Sequence, residues 1–178
     1  MVIYFLRHAN AGQKHFSDSL KDEKRPIDKL GEEQSHDVGR ALAALGVTVN
    51  VIVSSPLTRA VQTAAIVSQE LGHEEKVVID DSLRPEATFE KFKALLNRHK
   101  DKASIMVVGH DPSMTEFVNR VLSGGGPLAA IEMKKAGVAK VEKDLRGQVV
   151  LKWCMPPKVV QKIQRSSAKR SRPKTDLK

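Results

Sequence analysis

Apolar positions along this chain alternate between short unbroken runs and longer spaced stretches. Residues 2–6, 51–53 and 105–108 are continuous runs, the pattern of strands buried on both faces of a parallel sheet. The spaced stretches between them have helical periodicity. The pattern predicts a strand at 2–7, a long loop to about 28, and a helix from about 29 to 45 capped by Asp28. A strand at 50–53 then leads to a helix at 56–71, ending near Gly72. A short strand at 76–79 passes through a turn at Arg84-Pro85 into a helix at 88–99. A strand at 104–108 and a helix at 112–122 follow, and Gly124-Gly125-Gly126-Pro127 breaks the chain. Three final strands near 129–133, 137–142 and 149–154 are expected to close the sheet. There is no internal repeat.

Alternation of this kind predicts an α/β fold, a three-layer α/β/α sandwich with a mainly parallel central sheet. Ligands of such sheets bind beyond the carboxyl ends of the strands. What stands there is chemically pointed. The first strand ends in Arg7-His8, the second in Ser54-Ser55-Pro56-Leu57-Thr58-Arg59, and the fourth in Gly109-His110-Asp111-Pro112. Ser55 and Asp111 are expected to cap the helices that follow, with Pro56 and Pro112 at the first helical position. Free N–H groups at helix starts favour an anion. A neutral imidazole is a competent nucleophile, and a guanidinium can hold a phosphate through two oxygens. The set Arg7, His8, Arg59 and His110 therefore suggests phosphoryl chemistry.

Four motifs in this order resemble the histidine phosphatase superfamily, with its phosphoglycerate mutase-like fold. They are Arg7-His8-Ala9, Arg25-Pro26-Ile27-Asp28, Ser55-Pro56-Leu57-Thr58-Arg59-Ala60-Val61-Gln62-Thr63 and Gly109-His110-Asp111-Pro112. Within it they resemble the short, SixA-like branch of phosphohistidine phosphatases, over roughly residues 1–155. The resemblance implies that His8 attacks phosphorus and becomes a phosphohistidine, which water then hydrolyses. It implies further that Arg7, Arg59 and Arg25 neutralise the transferring group, and that His110 is a further phosphate ligand able to donate a proton. A backbone carbonyl accepting from the other ring nitrogen of His8 would fix the useful tautomer.

The acid that protonates the leaving group is open at this point: Glu86, beside Arg84-Pro85, and Asp18, in the first loop, are both candidates. An alkoxide needs such an acid, whereas the imidazole of a phosphohistidine can leave already protonated. The short stretch between the helices at 56–71 and 88–99 leaves no obvious lid over the cleft. The leading expectation is therefore a phosphohistidine phosphatase acting on a signalling protein such as a histidine phosphotransfer domain. The alternatives are a small-molecule phosphomonoesterase of the same superfamily, or a phosphate- or nucleic-acid-binding module. His15, His36, His73 and His99 fall outside the motifs and are expected to be solvated; no metal and no cofactor is expected.

Charge adds one feature. The chain carries 30 Lys and Arg against 21 Asp and Glu, a formal +9. Most of the excess lies after Pro156-Pro157, which marks a boundary between a domain at 1–155 and a basic tail at 156–178. A short helix is expected around 159–163 and disorder from 166 onward. Few aromatic residues accompany these charges, so stacking on nucleic acid is not expected. Cys154 is the single cysteine, which excludes an internal disulfide and fits a reducing compartment. The expectation is a cytoplasmic monomer with neither a leader peptide nor a membrane span.

Overall fold

A computed structural model describes residues 1–13, 18–124, 131–144 and 146–170. The strands are β1 (Val2–Arg7), β2 (Val51–Ser54), β3 (Val78–Ile79), β4 (Ser104–Gly109), β5 (Val138–Lys143) and β6 (Val149–Met155). The helices are α1 (Ser19–Glu23), α2 (Lys29–Ala44), α3 (Thr58–Glu70), α4 (Phe89–Arg98), α5 (Ser113–Ser123) and α6 (Pro157–Arg170). They form a six-stranded sheet in the order β3-β2-β4-β1-β5-β6, flanked by helices. The four central and left-hand strands are parallel; β5 and β6 are added antiparallel at the other edge.

Side-chain alternation along the strands builds two cores. From β1, Ile3 and Phe5 point to one face and meet Phe92 of α4 with Met114 and Phe117 of α5. Tyr4 and Leu6 point to the other, against Val38 and Leu42 of α2 and Ala60, Ala64 and Val67 of α3. Both faces are therefore covered, which is why the central runs have no polar positions.

Register is what positions the site. Arg7 pairs with Gly109 across β1 and β4, and Ser54 pairs with Val108 across β2 and β4. Three parallel strands thus finish at nearly one level. The next residues stay pinned to the ladder: the His8 N–H donates to the Gly109 carbonyl at 2.9 Å, and the Ser55 N–H to the Val108 carbonyl at 2.9 Å.

Several expectations need correction. Ser55 does not cap α3, which starts at Thr58 without a side-chain cap. Nor does Asp111 cap α5; it accepts from the Thr115 hydroxyl at 2.5 Å, and α5 starts at Ser113. The strand expected at 129–133 is absent from its described part, since Ile131–Met133 has no regular secondary structure. The loop before residue 28 contains a helix, α1, too short and too polar to leave a periodic signal. A two-residue β3 is followed by a 3-10 turn at Asp81–Leu83. Helix α6 runs to Arg170, beyond the 159–163 segment expected, and docks through Val160 onto the α2/α3 core. Residues 171–178 lie outside the described residues. His36, His73 and His99 are half-buried rather than solvated, and His36 Nδ1 lies 2.6 Å from Glu70 Oε1; His15 is outside the described residues. No helix among the described residues is long and apolar enough to cross a membrane.

Candidate active site

Beyond the ends of β1, β2 and β4 lies a cleft of about 400 Å³ whose lining includes Arg7, His8, Arg25, Arg59 and His110. Residues distant in sequence meet there as expected. His8 is 6 % exposed and His110 2 %, and their rings are 5.0 Å apart between centroids.

His8 is fixed at both ring nitrogens. Its Nδ1 donates to the Ala9 carbonyl at 2.7 Å, which leaves Nε2 with a free lone pair. That lone pair accepts from Arg59 Nε at 3.3 Å. Burial, chiefly, and then the charges of Arg59, Arg7 and Arg25 push the ring down from its usual value to about 3, against the opposing bond to Ala9. His8 is therefore neutral across the physiological range, as a nucleophile must be. His110 is pushed down to about 2 by burial first, then by His8 and the same arginines. Its Nε2 lies 2.8 Å from Ser55 Oγ, and its buried Nδ1 has no partner among the described residues.

The guanidinium groups are clamped by carbonyls and carboxylates around the cleft. Arg7 donates through Nη1 to the Met133 carbonyl at 2.7 Å, with Asp111 Oδ2 3.7 Å away, while its buried Nε has no partner among the described residues. Arg25 donates through Nη1 to the Gly12 carbonyl at 2.9 Å and through Nε to Asp22 Oδ1 at 3.0 Å. Arg59 donates through Nη1 to the Asp22 carbonyl at 2.8 Å, with Asp22 Oδ2 at 3.5 Å. One residue, Asp22 of α1, thus anchors two of the three arginines. The Arg59 guanidinium is pulled below its ordinary value by burial and by Arg25, with Asp22 and Glu23 opposing.

Asp22 was invisible to sequence reasoning because α1 has no buried residue. Its one trace is the spacing of three between Asp22 and Arg25. The sequence marks Ser55 as a helix cap and not as a partner of His110, and gives Lys135 no signal; Lys135 lines the rim and donates to Asn10 Oδ1 at 2.8 Å. Arg25 lines the cleft with its side chain only 10 % exposed.

The two candidate acids are not in the cleft. Asp18 caps α1, accepting from the Lys21 N–H at 3.0 Å. Glu86 is exposed and lines a neighbouring groove with Phe89, Glu116 and Arg120. The carboxylates that do line the cleft, Asp22 and Asp111, face arginines. Among the described residues no group of three or more His, Cys, Asp or Glu side chains could hold a metal ion. The arrangement is a cationic basket around two neutral imidazoles, which suits a phosphoryl group.

Comparison with known proteins agrees with this chemistry. The sequence profile of the histidine phosphatase superfamily (branch 1) matches residues 3–95. An uncharacterized protein of Picosynechococcus is 31 % identical over 170 residues, covering 88 % of this chain and all of that protein. The mitochondrial serine/threonine-protein phosphatase PGAM5 of Mus musculus is 40 % identical over 78 residues, covering 44 % of this chain and 26 % of that protein. Among solved structures, the protein histidine phosphatase SixA complexed with tungstate superposes with a TM-score of 0.77 at 24 % identity. That superposition covers 90 % of this chain and 99 % of SixA. The α-ribazole phosphatase of Shigella flexneri superposes at 0.68 with 14 % identity, covering 88 % and 97 %. These structural likenesses show the fold. The chain belongs to the histidine phosphatase superfamily, and its activity class is that of a phosphatase.

Proposed function

We propose that this protein removes the phosphoryl group from phosphohistidine on a protein substrate such as a histidine phosphotransfer domain. The observation that carries the reading is the state of His8: Nδ1 is tied to the Ala9 carbonyl, and Nε2 is left as a buried lone pair among three arginines. In the first step His8 Nε2 forms a bond to phosphorus as the P–N bond of the substrate breaks. The substrate imidazole leaves with a proton it already carries. Arg7, Arg25 and Arg59 hold the phosphoryl oxygens and offset their charge while phosphorus is transferred. Water then attacks the phosphohistidine, releasing inorganic phosphate and restoring His8.

The substrate class is supported by the cleft's acids. Neither Glu86 nor Asp18 reaches it, and Asp22 and Asp111 face guanidinium groups. A site without a dedicated acid is at a disadvantage for an alkoxide leaving group but not for a protonated imidazole. The names of SixA and PGAM5, a histidine and a serine/threonine protein phosphatase, both point to phosphoproteins rather than metabolites. The test offers a phosphorylated histidine phosphotransfer domain, a phosphoserine protein and a sugar phosphate side by side. The phosphohistidine protein should turn over fastest, and faster turnover of the sugar phosphate or the phosphoserine protein would overturn the assignment.

A further inference from the structure

Ser55 sits one residue beyond β2, fully buried, with its hydroxyl 2.8 Å from His110 Nε2. A hydrogen bond at that distance has two forms: the serine donates to a bare Nε2, or a protonated Nε2 donates to the serine. The surroundings separate them. The Leu57 N–H, at a long 3.4 Å, points at Ser55 Oγ and occupies one of its lone pairs, leaving the hydroxyl proton for the ring. No other acceptor for that proton is found among the described residues, and a buried hydroxyl left without one is costly. The remaining ring nitrogen, Nδ1, has no partner among the described residues although the side chain lines the cleft beside His8 and the arginines. A bare lone pair there would oppose an incoming anion, whereas an N–H would bind one.

We infer that Ser55 sets the tautomer of His110, keeping Nε2 as an acceptor so that the proton sits on Nδ1 and is offered to a phosphoryl oxygen. Ser55 is thus a positioning residue, acting through His110 without touching substrate. The inference rests on the reading of the cleft as a phosphoryl site but is independent of which phosphorylated molecule enters. Burial and the neighbouring cations keep the ring neutral, so its single proton has only these two places to be.

Long-range proton–nitrogen correlation spectra of the full chain labelled with 15N-histidine test this without turnover. His110 should show a protonated Nδ1 and a bare Nε2, and inorganic phosphate should shift the Nδ1 resonance. A proton found on Nε2 overturns the inference, as does phosphate that shifts His8 while leaving His110 Nδ1 unmoved. In Ser55→Ala the single tautomer should give way to a mixture, and kcat should fall about tenfold with KM changed by less than about twofold. Ser55→Thr, which keeps the hydroxyl, should restore the tautomer. A Ser55→Ala protein that retains both the pure tautomer and full kcat also overturns it. If that variant does not fold, the wild-type spectrum alone decides. Phosphate that shifts neither histidine would contradict the phosphoryl site itself.

Discussion

Arg59 Nε donates to His8 Nε2 at 3.3 Å, so a fixed cation faces the lone pair expected to attack phosphorus. Arg59→Lys keeps the charge but loses the fork that reaches His8 and Asp22 together. It should lower kcat/KM by roughly 10- to 100-fold with little change in Tm. Steady-state kinetics and thermal melts of the variant check both expectations.

Asp22 ties Arg25 to Arg59 from one side of the cleft. Asp22→Ala should free Arg25 Nε and remove the 3.5 Å ion pair to Arg59, whose bond to the backbone carbonyl at position 22 is kept, and displacement on the scale of 1 Å costs up to about 100-fold in rate. Its effect should exceed that of Glu86→Gln, which alters a residue of the neighbouring groove and should leave turnover unchanged. Parallel measurement of kcat/KM for the two variants decides the order.

Two buried neutral histidines make stability depend on acid. Both folded-state values lie below the usual 6.5, His8 at about 3 and His110 at about 2. Between pH 6.5 and about 3 the unfolded chain takes up protons that the folded site refuses. The contribution of these groups is therefore intact above pH 6.5 and shrinks as pH falls, by up to about 1.4 kcal/mol per pH unit for each. Urea titrations at pH 7 and pH 5 should show the loss in wild type and a smaller one in His110→Gln. A nitrogen-15 titration of His8 should show no inflection near 6.5.

Much of this architecture is written in the hydrophobic runs and the punctuation between them. Residues 105–108 have no polar position because helices cover both faces of β4, and Asp28 caps α2 by accepting from the Gly31 N–H at 2.9 Å. The meeting of His8 with His110 was legible because parallel strands deliver their ends to one edge. What was hidden depended on tertiary contacts. Helix α1 is five residues long, buries nothing, and is defined by Asp22 reaching Arg25 and Arg59. Ser55 resembled a helix cap in sequence because the signal for a cap and for a buried hydroxyl donor is the same residue before a proline. Met133 lies in a segment whose apolar residues look like a strand, yet its carbonyl is spent on Arg7.

Gly31 marks a close approach that sequence periodicity does not reveal. A Cβ built there would meet the Asn10 carbonyl oxygen at 1.9 Å, a backbone atom of the loop that follows His8 and Ala9. Gly31→Ala should push the start of α2 away from that loop and cost about 1–3 kcal/mol. Thermal melts should report the loss. Turnover should fall with it, because Asn10, which donates to Asp28 Oδ2 at 2.6 Å, holds Lys135 of the cleft's lining.

The most direct test of the account is to look for phosphorus on His8 itself. Phosphorylated transfer domain carrying a labelled phosphoryl group is mixed with enzyme and quenched within one turnover into base, where phosphohistidine survives. Peptide mapping should place the label on Nε2 of His8, and His8→Ala should carry none and lose activity on the order of 1,000-fold or more. Label on any other side chain, or substantial turnover by His8→Ala, would contradict the assignment of His8 as the nucleophile.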